Sequence, residues 1–103
     1  MRARHMASRA VRLHPLAAEE AVAADAWYYS RNPKVAAAFR IELSAAIEGI
    51  AEAPERWPAV QGRFRRYLLR RFPFSVVYFK IGPAIEVVAL AHHRRKPGYW
   101  TNR

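Results

Sequence analysis

Residues 32–54 read NPKVAAAFRIELSAAIEGIAEAP and carry the strongest structural signal in the chain. Apolar side chains recur there at intervals of four, four, four and three residues, which is the period of one helix face. The stripe consists of Val35, Phe39, Leu43, Ile47 and Ile50. Asn32 suits the N-cap position and Pro54 ends the pattern. The stretch therefore predicts an amphipathic helix from about Pro33 to Glu52.

A second helical pattern lies just upstream. From Leu16 to about Arg31 the chain is rich in Ala and Glu, and the residues near helical spacing are Leu16, Glu20, Ala23, Ala24 and Trp27. Only the Asn32-Pro33 break separates the two patterns, so we expect an antiparallel helical hairpin. Before the hairpin, residues 11–14 alternate apolar and polar side chains, as a short strand does.

The pattern changes after the hairpin. Three runs rich in Val, Ile, Phe and Tyr, as strands are, follow at Phe64–Arg71, Phe74–Ile81 and Ile85–His92. Short links containing Pro73 and Gly82-Pro83 join them, which favours an antiparallel meander. The segment from Pro54 to Gly62 is bounded by prolines and glycine, and we expect it to be a connection.

The predicted fold class is α+β, with the element order β-α-α-β-β-β and the helical hairpin packed on one face of an antiparallel sheet. The run that contains Val77 and Phe79 is apolar on both faces, so it should be the central strand. We expect these two side chains to share one core with the helix stripe. The opposite face of the sheet is the predicted working surface.

Length and composition restrict the function. The 103 residues suffice for one domain, which we place at residues 9–103, with residues 1–8 expected to be a disordered leader or a cloning remnant. The absence of cysteine excludes a disulfide scaffold and a thiolate nucleophile. We expect no cofactor and no metal, because the four glycines are isolated and the histidines lack a carboxylate cluster at ligand spacing. No uncharged run is long enough for a membrane span, so no membrane partner is expected.

The charge is unevenly distributed. The chain has 18 basic and 8 acidic residues, a net charge of +10. Residues 1–54 hold seven basic and six acidic side chains, whereas residues 55–103 hold eleven and two. Most of the cations are arginines, which suit bidentate contacts with carboxylates and phosphates. This excess indicates an acidic partner, either a nucleic acid or an acidic protein segment.

Five segments together carry a family resemblance. They are the aromatic cluster Trp27-Tyr28-Tyr29, the link at residues 50–58, the run at residues 65–74, Val77-Tyr78-Phe79, and the ending at residues 92–100. In this order, and in a chain of this size, they resemble the ParE-like branch of the RelE/ParE superfamily of toxins from bacterial type II toxin–antitoxin systems. The resemblance extends from Val11 to Trp100, most of the chain.

The resemblance implies a growth-inhibiting cytoplasmic toxin of a plasmid-stabilisation or stress-response system, bound by a cognate antitoxin in a hetero-oligomer. The ParE-like branch is associated with inhibition of DNA gyrase and has no recognised nuclease site. Other members of the superfamily are ribosome-dependent endoribonucleases that cleave messenger RNA. Fold alone does not distinguish the two activities. We predict a binding inhibitor, with DNA gyrase as target, and keep the metal-independent endoribonuclease as the alternative.

The two hypotheses, a binding inhibitor and an endoribonuclease, predict different site residues. Partner binding is expected of Trp100 and of the cations Arg65, Arg66, Arg70, Arg71, Arg94, Arg95 and Lys96. An antitoxin segment that is apolar on one side and acidic on the other should engage Arg65, Arg70 and Arg94. Catalysis would instead need a proton-transfer group at His92 or His93, phosphate contacts from Arg65 and Arg94, and Tyr99 as an acid or a stacking platform.

Overall fold

A computed structural model describes residues 9–103, and the expectation for residues 1–8 lies outside this range. Strand β1 (Val11–Leu13) leads into helix α1 (Pro15–Arg31), and helix α2 spans Pro33–Glu52. Asn32 alone separates the helices. Its side chain accepts the Lys34 N–H at 3.0 Å and caps α2, while its own N–H donates to the Tyr28 carbonyl and closes α1. The predicted helical hairpin is confirmed.

Four further strands complete one sheet. They are β2 (Ala59–Gln61), β3 (Phe64–Leu68), β4 (Phe74–Ile81) and β5 (Ala84–His92), and the spatial order is β1-β5-β4-β3-β2. This arrangement confirms the predicted fold class and the central position of β4. The sheet is nevertheless mixed rather than wholly antiparallel, because β1 pairs with β5 in parallel. The short strand β2 lies in the segment predicted as a connection, and β3 ends at Leu68, three residues before its predicted end.

Each face of the sheet has its own apolar cluster. The helix-side cluster contains Phe39, Ile50, Val76, Tyr78 and Ile85, with Leu43 packed against it. The cluster on the opposite face, which we call the tail-side cluster, contains Phe64, Val77, Phe79, Val88, Ala89, Ala91 and Trp100. Residues alternate between faces along a strand, so Val77 and Phe79 cannot share the face of Val76 and Tyr78. The prediction that they share the core of the helix stripe is therefore wrong, and the opposite face is not an open working surface.

A β-bulge in β5 fixes which residues reach each face. Val77 pairs with Ala89 and Tyr78 pairs with Val87, so Val88 is an extra residue in β5. Val88 and Ala89 consequently both belong to the tail-side cluster, whereas Val87 and Leu90 belong to the helix side. The bulge thus determines on which face of the sheet each side chain from Ala89 to His92 lies.

Candidate functional site

Residues 92–103, which we call the C-terminal segment, are tied to the fold by one carboxylate. Glu20 lies in the second turn of α1, and its Oε2 accepts the Tyr99 hydroxyl at 2.9 Å and an Arg103 guanidinium N–H at 2.8 Å. Its Oε1 accepts the Leu90 N–H at 3.0 Å and a second Arg103 N–H at 3.0 Å. Arg103 also donates to the Val88 carbonyl at 2.9 Å. Helix α1, the outer edge of β5 and the C-terminal segment are therefore joined at Glu20.

The contacts around Glu20 determine the protonation states of Glu20 and Tyr99. Burial alone would raise the pKa of Glu20, but the hydrogen bonds from Arg103, Tyr99 and Leu90 outweigh burial and lower it below 4.5. Burial, followed by the hydrogen bond to Glu20, raises the pKa of Tyr99 to about 12. At neutral pH the carboxylate is therefore ionised, and the Tyr99 hydroxyl stays protonated as a donor to it.

A groove with a volume of about 490 Å³ lies between α1 and the C-terminal segment. Its apolar lining includes Ala23, Ala24, Trp27, Tyr28, Phe74 and Leu90. His92, Arg94 and Arg95 supply basic groups to the same lining. The indole of Trp27 is 53% exposed, and the Arg31 guanidinium stacks on it at 3.7 Å from the ring centroid. The groove thus combines an exposed aromatic surface with basic side chains.

The two histidines at the end of β5 make different contacts. His92 packs its ring edge-on against Phe74, with 5.0 Å between ring centroids, and its Nδ1 accepts the Arg94 N–H at 3.0 Å. The Nε2 of His93 lies 3.1 Å from the Ser75 hydroxyl on the tail side of the sheet. The two predicted proton-transfer groups are therefore separated, and each has a local partner.

The predicted arginines divide between several places. Arg65 is half-buried on the helix side of β3 and donates to the Trp57 carbonyl at 2.7 Å. This bond ties β3 to the segment between α2 and β2. Arg70 and Arg71 follow β3 and meet Glu42 of α2, which accepts the backbone N–H of both and the Arg71 side chain at 3.4 Å. Neither position lines the groove described above.

The remaining predicted residues lie at the C-terminal segment or across the sheet from the groove. Arg94 and Lys96 are exposed, and neither side chain contacts a partner within residues 9–103. Arg95 stacks on the Tyr99 ring at 3.8 Å from the centroid and lies 3.8 Å from Glu20. Arg66 is exposed on the tail side, whereas the Trp100 side chain is buried in the tail-side cluster. Trp100 therefore contributes packing at this position, and the structure brings together only Arg94, Arg95, His92 and Tyr99 at the groove.

Sequence reasoning missed three residues of this region: Glu20, Ser75 and Arg103. Glu20 did give a signal, because it is an acidic residue on the apolar stripe of α1, where a charge needs a partner. That partner could not be identified, since Tyr99 and Arg103 lie 79 and 83 residues further along the chain.

Two features are absent from residues 9–103. No group of three or more His, Cys, Asp or Glu side chains in this range is placed to hold a metal ion. Within the same range, no helix has the length and apolar character needed to cross a membrane.

The comparisons with known proteins agree with this architecture. The two-helix hairpin on a five-stranded mixed sheet is consistent with the fold of RelE/ParE toxins. The family model of the ParE toxin of the type II toxin–antitoxin system parDE matches residues 11–97, and the chain belongs to that family.

A solved structure shows the same fold. A chain of the chromosomal ParDE toxin–antitoxin system from P. aeruginosa superposes with a TM-score of 0.73 at 17% sequence identity. The match covers 84% of this chain and 97% of that one. No curated protein matches this chain.

Proposed function

We propose that this ParE-family protein inhibits growth by binding DNA gyrase, without catalysis, and that a cognate antitoxin neutralises it. The observation that carries the proposal is the pair of exposed cations Arg94 and Lys96, which have no partner within residues 9–103. They follow directly on the β5 end, where the fold holds the backbone in place. Cations that the fold itself does not use are free to bind an acidic surface on another protein.

The contacts of the titratable groups favour binding over RNA cleavage. A general base or acid needs a free nitrogen or hydroxyl within hydrogen-bond reach of the reacting atoms and a pKa near the working pH. His92 uses its Nδ1 for the Arg94 N–H, and Tyr99 has a pKa of about 12 and donates to Glu20. Arg65, one of the two proposed phosphate ligands, is hydrogen-bonded on the helix side. These groups therefore support the fold better than they support a nuclease.

The first experiment separates the two activities. Purified protein is assayed for inhibition of gyrase supercoiling and for cleavage of messenger RNA on translating ribosomes. The variant Arg94→Glu/Lys96→Glu should abolish toxicity and gyrase inhibition while the protein stays folded, since neither side chain has a structural partner. The variant Lys34→Glu/Arg56→Glu makes the same change of charge elsewhere and should remain toxic. Ribosome-dependent cleavage that is lost in His92→Gln/His93→Gln would contradict the proposal and support the endoribonuclease.

We place the antitoxin segment in the groove beside α1. A segment that is apolar on one side fits the Trp27 and Phe74 surface, and acidic groups on its other side would meet Arg94 and Arg95. The outer edge of β5 is a poorer site for an added strand, because Glu20 and Arg103 already bond Leu90 and Val88 there. Arg65 and Arg70, which were expected to engage the antitoxin, lie outside the groove lining.

A matched pair of variants tests this placement. Trp27→Ala should weaken the antitoxin complex by at least about tenfold, as the loss of a central aromatic anchor does. Tyr29→Ala removes a neighbouring aromatic ring that is similarly exposed, at 57%, but lies outside the groove lining, and it should leave the affinity within about threefold. Equal losses in the two variants, measured by calorimetry with the purified antitoxin, would show that the segment does not use the groove.

A further inference from the structure

The groove between α1 and the C-terminal segment has the size and composition of a small-molecule site. Its volume of about 490 Å³ lies within the usual range for such sites, about 300–1,000 Å³. Small-molecule sites are mostly apolar and hold a few polar groups that fix the orientation of the ligand. The groove follows this rule, because aromatic and aliphatic side chains form most of its lining and its basic groups all come from residues 92–95.

The aromatic part of the lining is held in place by packing. The Tyr28 ring contacts three other aromatic rings at centroid distances of 5.1–5.3 Å, and the Phe74 ring contacts two, at 5.0 and 5.8 Å. Next to these rings, Ala23 and Ala24 contribute only methyl groups, so α1 leaves room for a flat ring. Because the rings are already ordered, little free energy is lost when an aromatic ligand packs against them.

The polar end of the groove favours an anion. Among the described residues of the lining only Glu20 is acidic, and Arg103 offsets its charge through N–H groups at 2.8 and 3.0 Å. The Arg94 side chain is exposed and has no partner within residues 9–103. Arg95 adds a second guanidinium, which lies 3.8 Å from Glu20. The groove therefore presents an unused guanidinium beside an aromatic surface.

We propose that the groove binds a small aromatic carboxylate, with its ring against Trp27 and Phe74 and its carboxylate on Arg94. A guanidinium can bind a carboxylate through two parallel N–H donors, and the aromatic lining supplies ring contacts. This proposal rests on the groove itself and goes beyond the binding of protein partners. One consequence rests on the proposed function: the ligand competes with the antitoxin, because the antitoxin segment is placed in the same groove.

The experiment is a nitrogen-15 NMR titration of the full chain, without antitoxin, with 1-naphthylacetate as the probe. The chain has three tryptophans, and Trp27→Phe identifies the Trp27 indole signal, which should shift in a saturable manner. The neutral amide of the probe keeps the rings and should bind at least about tenfold more weakly, since it loses the charged hydrogen bond. Octanoate keeps the charge without a ring and should bind about fivefold more weakly. Equal affinity of either analogue would contradict the proposed class of ligand.

Two matched pairs of variants locate the ligand. Ala23→Leu fills the groove, whereas Ala26→Leu adds the same side chain at an exposed position of α1 outside the lining. Leucine is a good helix former, so both variants should fold. The dissociation constant should rise at least about tenfold in Ala23→Leu and stay within about twofold in Ala26→Leu. Arg94→Gln should weaken binding about tenfold, whereas Arg56→Gln, an exposed position outside the lining, should leave it within about twofold. Equal effects within either pair would overturn the proposal.

A competition with the purified antitoxin separates this proposal from the proposed function. We expect 1-naphthylacetate to displace the antitoxin. Saturable binding of the probe without displacement would support the ligand site and contradict the placement of the antitoxin. The converse result, a Trp27 indole signal that the probe does not shift while Trp27→Ala still weakens the antitoxin complex, would overturn the ligand site and leave the proposed function standing.

Discussion

Replacing Glu20 with Gln should destabilise the protein more than its position on a surface helix would suggest. The change keeps the shape of the side chain and removes its charge, so Arg103 loses its counter-ion in a place where only 12% of that side chain is exposed. Breaking a buried ion pair costs about 3–5 kcal/mol, and the 17% exposure of Glu20 places this pair slightly below that range. We expect a loss of about 2–3 kcal/mol in the free energy of unfolding, or roughly 10–20 °C in Tm.

The measurement is urea unfolding followed by circular dichroism at pH 7, with linear extrapolation to water. Glu19→Gln is the matched control, because the neighbouring carboxylate is exposed, and it should change stability by less than about 0.5 kcal/mol. A double-mutant cycle with Arg103→Gln should show a coupling between the two side chains of at least about 1 kcal/mol. Equal and small effects of Glu20→Gln and Glu19→Gln would refute the view that Glu20 joins the three elements.

The lowered pKa of Glu20 predicts that the stability difference between wild type and Glu20→Gln depends on pH. The pKa of Glu20 is lowered in the folded protein, so the unfolded chain takes up its proton first as the pH falls. The stability that Glu20 contributes is therefore fully present above the ordinary value of 4.5 and declines below it. Glu20→Gln has no such proton to bind, so the difference in unfolding free energy between wild type and variant should narrow below pH 4.5. A difference in unfolding free energy that stays constant from pH 7 to pH 3 would contradict the view that the Glu20 carboxylate stabilises the fold through its charge.

Three further changes test the packing, each by urea unfolding. Phe39→Ala should cost about 3–5 kcal/mol, because the ring is 1% exposed and packs among Tyr28 and Phe72; a loss below about 1 kcal/mol would mean that the α2 stripe is misassigned. Tyr78→Phe should cost about 1–2 kcal/mol, since its buried hydroxyl donates to the Pro54 carbonyl at 2.6 Å, and an unchanged stability would show that this carbonyl finds another donor. Gly49→Ala should stabilise by about 0.5–1 kcal/mol, as the added Cβ meets its nearest neighbours at an ordinary 3.9 Å; destabilisation would show that α2 cannot accept the methyl group.

The hairpin and the three long strands were predictable because each has a local cause. The α2 stripe, the Asn32 cap and the Pro54 stop act within one or two turns of the helix, and the meander follows from short links. The parallel pairing of β1 was not predictable, since a run of three alternating residues does not indicate which strand it pairs with. All three residues of strand β2, Ala59–Gln61, are exposed, and so short a run shows no alternation of apolar and polar side chains.

The errors on the sheet faces have a physical reason. Residues 76–79 are buried on both faces of β4, so the sequence contains no contrast that would assign Val77 to one side or the other. The bulge at Val88 adds a second ambiguity, because it shifts the alternation of every residue after it in β5. The candidate site depends on those later residues. Its basic character was therefore predictable, whereas the separation of His92 from His93 and the contact with Ser75 were not.

The structure also explains the uneven charge of the chain. Acidic residues of the first half neutralise cations of the second: Glu20 pairs with Arg103 and lies near Arg95, and Glu42 pairs with Arg71. Within residues 9–103, the second-half cations whose side chains have no acidic partner are Arg56, Arg63, Arg65, Arg66, Arg70, Arg94 and Lys96. Arg94 and Lys96 lie in the C-terminal segment, whereas the other five lie between residues 56 and 70. The positive charge that remains for partners is thus divided between residues 56–70 and the segment after β5, and the carboxylate of Glu20 holds the latter in place.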